Sequence, residues 1–140
     1  MTVKEKIETF HKKVKSFEYN PNEVGNGLLS DLNKYVQELR DIVGNAVSYD
    51  PDLKKGDTEL YLRCFDRPLA TLHEFSKKST PEERLKMLPF IISSIDNGVD
   101  LFLTSCETAN SDILFKEESQ IPDVSYPHII KEGLNPISGV

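Results

Sequence analysis

The sequence predicts an all-α fold: a four- to five-helix bundle over residues 1–115, followed by an extended, proline-containing C-terminal tail over residues 116–140. Three observations carry that expectation. Apolar residues recur at spacings of three and four, the period of one helix face. Helix-start signals stand ahead of those runs, at Thr2 with Glu5 and at Thr80 with Pro81 and Glu83. After Lys116 the periodicity stops, and Pro122, Pro127 and Pro136 separate isolated apolar residues such as Ile121, Val124, Tyr126, Ile129 and Ile130. Such a tail either wraps on the bundle or stays disordered until it meets a partner.

The first helix is predicted over residues 2–17. Val3, Ile7, Phe10, Val14 and Phe17 share one face, Thr2 and Glu5 form a capping box, and Lys4, Lys12 and Lys15 form a solvated basic face. Asn20-Pro21-Asn22 ends it. The second helix is expected from about Leu28 to Val47. One row holds Leu28, Leu32, Tyr35, Leu39, Ile42 and Ala46, and a second holds Leu29, Val36 and Val43. Two adjacent rows make a broad arc, so this helix either sits centrally in a bundle or keeps part of its face for a partner. Gly44-Asn45 is a place for its last turn to fray or kink, and Asp50-Pro51 and Lys55-Gly56 mark a loop.

Asp57 is a plausible cap for a third helix carrying Leu62, Phe65, Leu69, Leu72 and Phe75. Pro68 inside it removes a backbone donor and kinks the run, or Asp66 caps a new start with Pro68 in its first turn. The helix from Thr80 is expected to stop at or kink through Pro89. A further run from Phe90 is interrupted near Gly98 and resumes toward Ile113-Leu114-Phe115. In Pro89 through Asp96-Asn97-Gly98, a proline-led apolar run is thus expected to close in a glycine turn.

Composition narrows the function classes. The chain has 140 residues, 38% of them hydrophobic and 29% charged, which favours a globular domain over disorder. A net charge of -6 argues against nucleic-acid binding as the main activity. Cys64 and Cys106 sit among apolar residues and read as buried, reduced thiols suited to a reducing compartment. Charges within the first six residues argue against a signal peptide, and the uninterrupted apolar stretches are short of a membrane span. The expectation is a soluble, intracellular protein.

The motif search points away from catalysis. Gly25-x-Gly27-x-x-Ser30 lacks the third glycine and the preceding strand of a dinucleotide fingerprint. His11, His73 and His128 lie on separate elements without ligand spacing. With Gly98 at the sixth position of a calcium loop, Ser93, Ile95 and Thr104 would occupy positions one, three and twelve, so the EF-hand pattern fails. No enzyme, cofactor, metal, nucleic-acid, membrane or small-molecule role is expected.

Leu32-Asn33-Lys34-Tyr35-Val36-Gln37-Glu38-Leu39-Arg40, followed by Val47-Ser48-Tyr49-Asp50-Pro51, resembles the early helix of the Mediator complex subunit 10 family. That family also carries a proline-led apolar run closing in Ile-Asp-x-Gly, similar to Pro89 through Ile95-Asp96-Asn97-Gly98. Ile113-Leu114-Phe115 and Ile121-Pro122-Asp123 resemble its later segments. The family continues Gly-Arg-Asn-Pro where this chain has Gly98-Val99-Asp100-Leu101. The resemblance implies a non-enzymatic, nuclear subunit of the Mediator middle module, a transcription coactivator that bridges regulators and RNA polymerase II through protein partners. Leu29, Tyr35, Val36, Leu39 and Val43 are then the candidate partner face, with Pro89, Asp96, Asn97 and Gly98 shaping a presented turn. The alternative is a free-standing, cytoplasmic helical inhibitor or immunity-type regulator binding one protein target through an acidic surface.

Overall fold

The structure, a computed structural model, describes residues 1–17, 26–54, 58–78 and 80–123. Five α-helices follow one another among them: α1 (Val3–Ser16), α2 (Asn26–Tyr49), the single turn α3 (Pro51–Lys54), α4 (Thr58–Lys78) and α5 (Pro81–Thr108). Two 3-10 turns, Ile113–Phe115 and Glu118–Gln120, complete the described chain. The all-α expectation holds. Val124, Tyr126, Pro127, His128, Ile129, Ile130 and Pro136 lie outside the described residues, as do Asn20–Asn22, Gly25 and Asp57. The side chains of Leu28, Leu29 and Phe75 lie outside them too.

Packing follows a ring: α1 lies on α2, α2 on α4, α4 on α5, and α5 returns to α1. Each helix spends an apolar face on its neighbours. Val3, Ile7, Val14 and Phe17 of α1 are buried. Phe10 and Phe17 pack on Tyr35 of α2, with ring centroids 6.1 and 6.3 Å away. Both apolar rows of α2 enter the core through Leu32, Val36, Leu39, Ile42, Val43, Ala46 and Val47. α4 contributes Tyr61, Leu62, Phe65, Leu69 and Leu72, and α5 contributes Leu88, Ile91, Ile92, Ile95, Val99, Phe102 and Cys106. At about 1.5–3 kcal/mol per buried side chain, this shared core is the main source of stability.

The two expected helix starts are present. Thr2 accepts from the Glu5 amide at 3.1 Å, and Glu5 accepts in turn from the Thr2 amide at 2.9 Å. Hydrogen bonding to its carboxylate by the Thr2 amide first, and by the Thr2 side chain second, holds the Glu5 carboxyl below its ordinary range. Thr80 accepts from the Glu83 amide at 3.3 Å, ahead of Pro81 in the first turn.

Three expectations about helix ends are corrected. α2 does not fray at Gly44-Asn45 but continues to Tyr49, because Val43, Ala46 and Val47 are all buried around that turn. Asp66 does not cap a new helix: α4 runs through Pro68, and Asp66 is buried against Arg40 of α2, accepting from Nε at 2.9 Å. α5 neither stops at Pro89 nor turns at Gly98 but is continuous over 28 residues. Its helical stop comes later. Asn110 adopts φ 53°, and the amides of Asn110 and Ser111 return to the carbonyls of Glu107 and Cys106 at 3.1 and 2.9 Å. That is a Schellman closure with asparagine at the left-handed position.

Asp50 serves as a cap as well as a linker. One carboxylate oxygen accepts from the Asp52 amide at the start of α3, and the other accepts from the Ser111 hydroxyl beyond α5. The first residues of the expected tail are docked: Thr2 and Glu117 form an antiparallel bridge, the Val3 amide donates to the Lys116 carbonyl at 2.9 Å, and Ile121 is buried. Lys6 adds an ion pair to Glu118 at 3.1 Å and another to Glu38 of α2 at 3.6 Å. The packed body therefore extends through Ile121.

Candidate protein-binding surface

The crossing of α4 and α5 begins with a proline. Pro68 has no amide hydrogen, so the carbonyl four residues earlier, that of Cys64, loses its helical donor. Ser94 of α5 replaces it, its hydroxyl donating to the Cys64 carbonyl at 2.9 Å. One turn later Gly98 allows the helices to touch. A Cβ there would stand 2.9 Å from Cys64 Cβ and 3.0 Å from Phe65 Cζ. Glycine at 98 is thus required by close approach of two helices, not by a turn. Tyr61 meets Phe102 edge-on at 6.0 Å, so α4 ascends where α5 descends and the two are antiparallel.

This tight crossing fixes what remains outside. Phe90 is 69% exposed and Met87, one turn before it, 39%. Leu101, eleven residues and about three turns beyond Phe90, returns to the same side at 36% exposure. On α4, Leu60 lies one turn from Cys64 and is 48% exposed. Single exposed apolar residues are ordinary, but a repeated set beside one helix crossing is a candidate contact surface.

The sequence-predicted partner residues fall elsewhere. Val36, Leu39 and Val43 are fully buried, and Tyr35 is half-buried under Phe10, Phe17 and the Lys13 ammonium, 5.3 Å above its ring. The broad arc of α2 is spent on its own bundle, the central position that its width also allowed. Of the second group, Pro89 and Asn97 are exposed, Gly98 is buried against α4, and Asp96 meets the His11 imidazole of α1 at 2.5 Å. They share α5 but not one face. Sequence reasoning missed Met87, Phe90, Leu101 and Leu60. The available signal was that α5 has apolar residues on more sides than its core row needs.

A surface groove of about 620 Å³ lies where α5 meets the first 3-10 turn and is lined by Lys4, Leu103, Cys106, Ser111, Leu114 and Phe115. Burial pushes the Cys106 thiol up to about 12, with the Asp50 carboxylate adding to the effect, so it is not a thiolate nucleophile near neutral pH. Burial also raises the Cys64 thiol. No group of three His, Cys, Asp or Glu side chains gathers as a metal site among the described residues. Lys86–Thr108 of α5 is long and apolar enough to cross a membrane by length and composition, which the segmented reading of this run did not anticipate. Within the fold, its Leu88, Ile92, Ile95, Val99 and Phe102 line the core.

Comparisons place no known relative beside this arrangement: no protein-family model, curated protein or solved structure matches the chain.

Proposed function

We propose that the chain is a non-enzymatic helical subunit of an intracellular multiprotein complex, held in it through the outer side of α5. The observation that carries this reading is Phe90, 69% exposed on a continuous helix, with Met87 and Leu101 repeating on its side. Aromatic and methionine side chains are enriched at the centres of protein interfaces. The resemblance carried by Leu32–Arg40 and by Pro89–Gly98 names the assembly: the Mediator middle module, in the nucleus, with RNA polymerase II coactivation as the activity.

Affinity purification of the tagged chain, with identification of the co-purifying proteins, tests both levels. Recovery of Mediator subunits with the wild type, and their loss with Phe90→Ser, is the expected result. A stable assembly without Mediator subunits would remove the finer reading and leave the coarser. A single basic partner released by moderate salt would favour the free-standing regulator instead. Recovery of the chain alone would overturn the proposal.

A further inference from the structure

The seam between α4 and α5 has a charge opposite to that of the chain. Leu60, Cys64 and Arg67 follow at spacings of four and three along α4, and Arg63 lies one turn before Arg67. Both arginines are exposed, and among the described residues neither guanidinium forms an ion pair. Their fields reach the Cys64 thiol, Arg67 more strongly than Arg63. Across the crossing, α5 presents Phe90, Ser94, Asn97 and Leu101, and none of these eight seam residues is acidic. In a chain of net charge -6 that is a local inversion. Two exposed guanidinium groups with no ion pair among the described residues, beside exposed apolar side chains, form a surface complementary to an amphipathic helix with carboxylates flanking its apolar face.

Resting on the reading of the chain as a complex subunit, we infer that the α4/α5 seam receives an acidic amphipathic helix of a partner protein, its apolar face on Phe90, Leu101 and Leu60 and its carboxylates on Arg63 and Arg67. Bidentate guanidinium–carboxylate pairs set the register of that helix, and the apolar side chains supply its burial. The proline-relieved crossing of α4 and α5 keeps both rows at fixed spacing before the partner arrives.

The test uses the full chain with three synthetic 20-residue helical peptides sharing one leucine/phenylalanine face, their other faces carrying glutamate, lysine or glutamine. Anisotropy titrations are expected to rank glutamate above glutamine above lysine, with at least about tenfold between the extremes. The Arg63→Glu/Arg67→Glu variant should weaken the glutamate peptide by about tenfold or more and reverse the ranking, with circular dichroism and melting unchanged. Leu101→Ser should weaken all three peptides. No binding, no charge ranking, or full binding by the charge-reversed variant would overturn the inference. So would preferential binding of the wild type to phosphatidylcholine/phosphatidylserine vesicles, or concentration-dependent dimerisation that occupies the seam. Failure of the complex reading shows separately, as recovery of the chain alone. If the charge-reversed variant retains the whole purified complex, the seam inference falls and the complex reading stands.

Discussion

α2 and α5 are the two most apolar long helices of the bundle, and they use that character in opposite ways. α2 lies between α1 and α4, and from Leu32 to Val47 its apolar residues are buried or half-buried. α5 lies between α4 and α1, yet Met87, Phe90 and Leu101 remain outside. Width of the apolar arc does not separate the cases, because the sequence makes both helices apolar on more than one side. The neighbours do. α2 has partners spread widely around it, whereas α4 meets α5 closely at Gly98 and Ser94 and leaves Phe90 and Leu101 beside that crossing uncovered. A helix in the middle of a bundle is an implausible docking surface, and a tightly paired peripheral one is a good candidate.

That contrast can be broken most severely at the polar contact inside the core. Asp66→Ala leaves Arg40 buried without its carboxylate and is expected to cost about 3–5 kcal/mol; the double variant Arg40→Met/Asp66→Leu should recover much of that loss. Urea unfolding of both reads the difference, and equal losses would mean that the pair is not the source. Leu39→Ala on α2 comes next, at about 2–5 kcal/mol for a buried leucine, with a thermal melt as the check.

The crossing sharpens the contrast at smaller cost. Gly98→Ala gains about 1 kcal/mol of helix propensity but crowds Cys64 and Phe65, where overpacking costs about 1–3 kcal/mol. A net loss of about 1 kcal/mol is expected, and stabilisation would show that the helices separate freely. Ser94→Ala removes the replacement donor to the Cys64 carbonyl and should cost about 1 kcal/mol. In a Pro68→Ala background the restored amide makes the same change nearly silent, a coupling that a double-mutant cycle measures directly. Phe90→Ser should change stability by less than about 0.5 kcal/mol, as expected of an exposed site. A loss like that of Leu39→Ala would erase the distinction between the two helices.

Much of this fold was legible in the sequence because local signals agreed with packing. The α1 face Val3, Ile7, Phe10, Val14 and Phe17 and the caps Thr2 and Thr80 appear where spacing put them. Pro68 lies inside its helix as one reading had it, but the new start at Asp66, the stop at Pro89 and the interruption near Gly98 are absent, since a long-range partner or continuity of the core on either side overrules each local breaker. Ser94 supplies a donor from thirty residues away for the carbonyl that Pro68 leaves open. The candidate surface was the least legible part. Exposure of Phe90 depends on how near α4 comes, and no spacing within α5 encodes that distance.

The bridge between Thr2 and Glu117 also orders events during synthesis. The first helix leaves the ribosome well before the strip of backbone that accepts from its Val3 amide and lies along its start. At about 5–20 residues per second, that interval is on the order of ten seconds. Until α5 is made, the apolar row from Val3 to Phe17 has only α2 of its two helix neighbours to shelter against. The first helix, made before every other helix of the bundle, is therefore among the last to be locked, and chaperone capture of unfinished chains should concentrate there.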